Sequence, residues 1–300
     1  MKEKNNLNGF LVVDKPYDTG STKVVSVLKH FLQPTKIGHA GTLDPLATGV
    51  LPIAFGRATR LIPYVMAGKK TYQFTIKWGV ETDSDDLAGK EIVTSDKVPS
   101  ESEIQSILPK FMGEMMQTPS AFSALKVNGR RAYELAREGK EVEIKPRPIT
   151  IYDLKALEIK PDTATFEVEC SKGTYVRTLA HDIAHALGTV GVVTMLRRTV
   201  CSPFDLTQAV ALEEIQAEKM TAENLPLIPM EAVVRDMPAI TLSETEIKRL
   251  SQGQRLSLHK LEIPQDVTQD GIYRATNADQ TCGLVRVNGT IISPEFIWLV

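Results

Sequence analysis

The chain has 300 residues, 42% of them hydrophobic and 24% charged, which suits a folded globular protein and excludes a mostly disordered one. That length exceeds the usual single domain and points to two. Lys+Arg 35 against Asp+Glu 37 gives a net charge of −2 and a pI near 6.3, which is not the footprint of a bulk nucleic-acid binder.

In chain order, GFLVVDKP at residues 9–16 reads as a short strand ended by a turn, because Pro16 has no N–H to give a ladder. Its apolar patch runs straight into Asp14 and Lys15, which is not a signal-peptide pattern. From Ser21 to Phe31 the positions of Val24, Val25, Val27, Leu28 and Phe31 predict an amphipathic helix, with Ser21 as its N-cap. Residues 34–60 show little periodicity and hold Gly38, Gly41, Gly49, Gly56, Pro45 and Pro52. They read as a long loop, and long loops in compact domains usually carry function. TYQFTIKWGV then alternates as a strand and leads into an acidic turn, TDSDDLAG, read as solvated. A helix is expected from Ser100 to Phe111, with Ser100 and Glu103 in capping-box spacing. A basic helix follows around Arg130–Glu138, stopping near Gly139. Two strands, ITIYDLKALEI and TATFEVECS, precede a helix from about Tyr175 to Leu187. The irregular alternation of helices with half-buried strands predicts an α+β fold with a mixed, largely antiparallel sheet and flanking helices.

Past residue 230 the texture changes. Ser243 and Glu246 cap a short helix ended by Gly253, and brief strand-like runs follow (RLSLH, GIYRAT, CGLVRV, TIISPEFIWLV) between turn signals. This is a small β-rich module, and the chain divides into domains 1–233 and 234–300. Charge is uneven along the chain, with a net +4 over residues 1–204 and −6 over residues 205–300. Basic clusters (Arg57, Arg60, Lys69 and Lys70; Lys126, Arg130, Arg131, Arg137, Lys140, Lys145 and Arg147; Arg197 and Arg198) permit a polyanion partner without requiring one. No window approaches ~18 consecutive apolar residues, so no membrane-spanning helix is expected. Cys170, Cys201 and Cys282 are scattered and form no CxxC, which argues against disulfides or a structural zinc and fits a reducing, cytoplasmic setting.

Of the short motifs, His181 and His185 have the i, i+4 spacing of a zinc-protease helix. Asp182 replaces the catalytic Glu and the sequence offers no third ligand, so no metal site is expected. Asp83, Asp85 and Asp86 fail the register of a calcium loop. There is no P-loop, GxSxG or GxGxxG. What remains is GHAGTLDPLATGVL at residues 38–51, where Asp44 is the one acid in an uncharged, glycine-rich stretch. On these features alone Asp44 is more often a turn or cap residue ahead of Pro45 than a catalytic group.

GHAGTLDPLATGVLPIAFGRATR closely resembles the catalytic motif of the bacterial tRNA pseudouridine 55 synthase family, TruB. Further blocks agree in order: DKP at 14–16, KTY at 70–72, SALKVNGRRAYELAREG at 123–139, PRPITIY at 146–152, CSKGTYVRTLAHDI at 170–183 and LRRT at 196–199. The C-terminal module resembles, more weakly, the RNA-binding PUA-type domain of that family. Ala40, Ala121-Phe122 and Val192 depart from the family's usual residues. The resemblance implies Asp44 as the essential carboxylate, Arg177 as its partner, Tyr72 stacked on the target uracil and Tyr175 beside the base near the proton to be removed. It implies Leu196 as the pocket floor, His39 against the RNA where the nucleotide has left the stack, and Lys15 and Arg60 near the active site or phosphates. It implies a tRNA T stem-loop as partner, no cofactor, and no guide RNA or partner protein. Uridine becomes pseudouridine when the N1–C1′ bond breaks, uracil turns over and C5 bonds to C1′, a change that needs neither redox cofactor nor group donor. A carboxylate serves this as nucleophile toward the sugar or as base at C2′, and the sequence does not choose between them. Two other readings stay open here: an RNA-guided synthase of the archaeal and eukaryotic type, and a tRNA-binding or folding module whose modification activity is secondary.

Overall fold

The first strand, β1 (Gly9–Lys15), is almost wholly buried and pairs on both sides, with β3 (Thr48–Phe55) and with β14 (Ala209–Ala211). In this computed structural model, which describes residues 4–120, 122, 125–127, 129–139, 143–217, 219–258 and 270–299, the other elements follow in chain order. They are α1 (Ser21–Leu32), β2 (Ile37–His39), α2 (Ile62–Ala67), β4 (Lys70–Trp78), β5 (Val80–Thr82), β6 (Glu91–Thr94), α3 (Glu101–Ile107) and β7 (Gly113–Gln117). Next are β8 (Lys126–Val127), β9 (Arg130–Arg131), α4 (Ala132–Arg137), β10 (Arg147–Ile159), β11 (Thr163–Cys170), α5 (Val176–Ala186), β12 (Gly191–Cys201), β13 (Phe204–Asp205) and α6 (Leu212–Gln216). The last are α7 (Glu231–Val234), β15 (Ala239–Thr241), α8 (Glu244–Ser251), β16 (Leu256–Ser257), β17 (Gly271–Asn277), β18 (Gln280–Asn288) and β19 (Ile291–Ile297).

A ten-stranded sheet runs β14-β1-β3-β12-β4-β11-β10-β7, with β13 beside β12 and β2 beside β3. Only β1/β14 and β12/β3 are parallel, so the sheet is mixed and largely antiparallel, as the sequence predicted. One face carries α3 and α5, which bury Ile104, Leu179 and Ile183 against Phe74, Ile76 and Phe166. The apolar stripe of α1, Val24, Leu28 and Leu32, fills a second cluster with Leu11, Leu51 and Ile53. The smaller sheet, β15-β17-β18-β19-β16, is the predicted β-rich module. It does not stand clear of the larger one: Leu284, Phe296 and Trp298 share a cluster with Phe10, Val12 and Phe204. Arg57 donates to the carbonyls of Ile297 and Trp298 across the same seam.

Several local expectations change. The capping boxes at Ser100 and Ser243 form as read. Ser21, however, is the first residue of α1 rather than its cap, Gly20 holding that place. The stretch 34–60 is mostly β2, β3 and a 3-10 turn, leaving only about residues 40–47 as loop. Its glycines hid the strand. Gly49 lies in β3 opposite Arg198 of β12 with φ +101°, where a Cβ would collide with the Arg198 carbonyl. The basic helix is shorter than expected, a two-residue hairpin (β8, β9) taking its first turn. The side chains of Lys126, Arg131 and Arg137, together with Lys140 and the His259 end of the RLSLH run, lie outside the described residues. No helix among the described residues is long and apolar enough to cross a membrane.

Candidate active site

Four elements converge on one cleft of about 810 Å³. The loop after β2 contributes Asp44, β4 contributes Tyr72, the N-terminus of α5 contributes Tyr175 and Arg177, and β12 contributes Leu196. Five sequence-predicted site residues therefore meet although they span 152 positions of the chain.

Arg177 is 5% exposed and organises the centre. Its Nε is 3.0 Å from Asp44 Oδ2, and its Nη1 is 3.2 Å from Asp86 Oδ2. It also donates to the carbonyls of Ser84 (2.7 Å) and Phe122 (3.1 Å), so the guanidinium bridges two carboxylates and two backbone oxygens. The acidic turn after β5 is thus only partly solvated, Asp83 exposed and Ser84 and Asp86 buried. Asp86 accepts from Ser84 Oγ and the Ala88 amide, the turn is pinned to β12 through Val193 N–H to the Asp85 carbonyl, and Arg177 sits on it. Its hydrophilic composition read as surface because the cation that covers it lies about 90 residues away.

The Asp44 loop is held at several points. Ser21 Oγ donates to the Leu43 carbonyl and accepts from the Leu43 amide, each at 2.9 Å. The fully buried Lys15 ammonium donates to Pro45 O at 3.0 Å, as well as to Pro16 O and Thr19 O. Arg198, 1% exposed, donates from Nε to Val50 O (2.8 Å) and from Nη2 to Gly41 O (3.1 Å), bracketing the loop from both ends. The Asp44 side chain is left 38% exposed on a pinned backbone, which is the geometry of a group presented to a ligand.

Burial pushes the Tyr72 phenol up to about 12, with Arg198 beside it working the other way, so Tyr72 stays neutral and offers a ring face and an O–H. The Tyr175 backbone is fixed by buried Gln117, whose Oε1 accepts from Tyr175 N–H (2.8 Å) and whose Nε2 donates to Tyr175 O (3.1 Å). Gln117, Asp86, Ser21 and the bracketing role of Arg198 were not found in the sequence. Each acts through a contact with distant backbone or charge and leaves no local pattern.

The remaining predicted residues lie outside the cleft. Lys15 sits behind the loop and acts through Pro45 rather than facing a ligand. His39 is at the end of β2, with Nδ1 buried and without a hydrogen-bond partner among the described residues, and burial, then Arg198, lowers its pKa. Arg60 faces the smaller sheet, its guanidinium 4.9 Å from the Phe296 ring centroid, and does not line the cleft.

The Lys15 arrangement gives a pH prediction. Burial lowers the Lys15 pKa to about 8, with Asp44 opposing and Arg198 reinforcing the shift. Below that pH the ammonium supplies three donors, and above it the neutral amine supplies two and loses the charge facing Asp44. Single-turnover rates should therefore fall as pH rises through about 8. Lys15→Met should be slower throughout and should lack that limb. A wild-type profile that stays flat to pH ~9.5 would show that Lys15 keeps its proton.

The likeness to known proteins agrees with this geometry. The family model described as "TruB family pseudouridylate synthase (N terminal domain)" matches residues 29–176, and "tRNA pseudouridylate synthase B C-terminal domain" matches residues 177–237. A "tRNA pseudouridine synthase B" of Rhodopseudomonas palustris is 42% identical, over 97% of this chain and 81% of that one. The chain belongs to the TruB family. It is accordingly a pseudouridylate synthase, an isomerase. Another TruB relative, the "tRNA pseudouridine synthase B" of Rhodospirillum rubrum, is 48% identical over 84% of this chain and 82% of its own. Among solved structures, an H/ACA RNP bound to a substrate RNA containing 2′-deoxyuridine matches with a TM-score of 0.74 at 22% identity, covering 97% of this chain and 85% of that one. A Cbf5-Nop10-Gar1 complex matches with a TM-score of 0.74 at 23% identity, over 96% and 84%. Both support the TruB chain's fold.

Proposed function

We propose that the chain converts uridine 55 in the T loop of tRNA to pseudouridine, with Asp44 as the essential group and without cofactor, guide RNA or partner protein. The observation that carries this reading is the meeting of the Asp44–Arg177 pair with Tyr72, Tyr175 and Leu196 in one cleft. The names of the curated relatives support tRNA as the substrate.

In this mechanism the target nucleotide leaves the stacked loop, at a cost of a few kcal/mol, and enters the cleft. Tyr72 offers a flat, neutral ring beneath the uracil, and Leu196 closes the floor. Asp44, paired with Arg177, attacks C1′ or removes the C2′ proton, and the N1–C1′ bond breaks. The freed uracil turns within the cleft and C5 bonds to C1′ as the Asp44–C1′ bond breaks or as the proton returns to C2′; the proton on C5 then leaves beside Tyr175 while N1 takes one up. No atom is gained or lost between substrate and product, so the site needs no co-reactant. The smaller sheet, within residues 234–300, is assigned as a PUA-like domain that holds the tRNA away from the reacting loop. Its near-neutral balance, 7 basic to 8 acidic residues over 234–300, suits a few shaped contacts rather than a broad electrostatic grip.

The test is tritium release from C5-labelled uridine in an unmodified tRNA transcript, with this protein alone. Release from position 55 supports the reading, and release only after adding a guide RNA would replace it with the RNA-guided alternative. Tight binding without release would make the chain a tRNA-binding module. Tyr72→Leu should cut turnover heavily, since base–aromatic stacking contributes about 1–3 kcal/mol and Leu has no π-face. Tyr72→Phe should be much milder, and equal, severe losses in both variants would shift the role of Tyr72 from its ring to its hydroxyl.

A further inference from the structure

The His181/His185 pair gains from the fold what the sequence did not supply. Both histidines lie on one face of α5, their rings stacked with centroids 4.1 Å apart, and Glu81 of β5 reaches up between them. One Glu81 oxygen is 2.7 Å from His185 Nε2 and the other is 3.6 Å from His181 Nε2. The three residues offer donor atoms that all lie within 4.8 Å of one another.

We propose that Glu81, His181 and His185 form a binding site for a zinc-like divalent metal ion. Two imidazoles and a carboxylate are the donor set that first-row ions such as Zn²⁺ and Co²⁺ accept, at about 2.0–2.2 Å per ligand. Small side-chain rotations bring three donors already this close to such distances. The surroundings fit a ligand role as well. Asp182 Oδ1 lies 3.4 Å from His181 Nδ1, the carboxylate–histidine arrangement that keeps the proton on Nδ1 and turns the Nε2 lone pair toward a metal. Glu81 is only 8% exposed, whereas the His185 side chain is 49% exposed, so an ion has a buried anchor on one side and an open path for entry and a bound water on the other.

The site is separate from the reacting groups but joined to them. His181 and His185 follow Arg177 at i+4 and i+8 on α5, and Glu81 leads directly into the turn whose Ser84 and Asp86 hold that arginine. An ion here cross-links the two segments that position Arg177. It acts as a structural tie and takes no part in bond making, so the proposal does not depend on the substrate assignment.

The test uses the full-length chain, free of any histidine tag and stripped with EDTA. Co²⁺ titration followed by visible absorption should show a single saturating site per chain with tetrahedral-type bands, bleached by Zn²⁺. His185→Ala, chosen because that side chain is half exposed, should fold normally and lose affinity by about 100-fold or more, and Asp182→Asn should lose about 10-fold. Absence of a Co²⁺ spectrum at micromolar protein would overturn the proposal. So would wild-type Co²⁺ affinity in a folded His181→Ala/His185→Ala variant, since the ion would then be bound elsewhere.

Discussion

Asp44→Asn should abolish pseudouridine formation while tRNA binding survives. Asn keeps the size and much of the hydrogen bonding of Asp, and the loop itself is held by Ser21, Lys15 and Arg198 through backbone atoms at Leu43, Pro45, Gly41 and Val50. The substitution therefore removes a charge without releasing the loop. Either chemical route requires that charge, as nucleophile or as base, and a loss of at least about 10⁴-fold is expected from removing a group of this kind. Binding should hold or rise slightly, because the variant takes a negative charge away from the path of RNA phosphates. Tritium release and filter binding, both at matched salt, separate the two effects. Near-normal release would return Asp44 to a turn residue.

Arg177→Met should be the single change most damaging to stability, and it should slow the reaction as well. It strips a shared cation from Asp44 and from Asp86, whose side chain is only 13% exposed, and leaves the Ser84 and Phe122 carbonyls without their donor. Breaking a buried pair in this way costs about 3–5 kcal/mol, and the loss belongs mainly to the Asp86 half, since Asp44 at 38% exposure can be rehydrated. The expected result is a clear fall in Tm by circular dichroism together with a rate loss of about 10²–10³-fold under conditions where the variant remains folded. Arg177→Lys should recover only part of either, since an ammonium cannot span two carboxylates and two carbonyls in one plane. Wild-type turnover in Arg177→Met would remove the arginine from the mechanism.

The fold and the centre of the site were largely readable because each rests on a local signal. Alternation marked β4 and β11, the capping boxes marked α3 and α8, and family-like blocks marked Asp44, Tyr72, Tyr175, Arg177 and Leu196. What stayed hidden was nonlocal. The strand β12 lies between β3 and β4, buried over Gly191–Val193 and irregularly half-buried after that, and so lacks a clean alternation. Arg198 within it looked like one more surface cation because its acceptors are carbonyls about 150 positions away. Glu81 joined the two histidines only once β5 was laid beside α5. Arg60, whose motif position suggested a place near the active site or phosphates, has its ring partner in the smaller sheet.

The sheet order also sets when a newly made chain can become active. Residues 12–14 in the first strand pair with residues 209–211, and the brackets on the Asp44 loop come from residue 198. A ribosome has therefore synthesised about two thirds of this chain before the Asp44 loop can be locked. Contacts of such long sequence separation close slowly and leave apolar strands waiting for partners. Until then β1 and β3 in the early chain lack their long-range partners, and substitutions in β12 or β14 should show first as poor yield from synthesis and only second as slow catalysis.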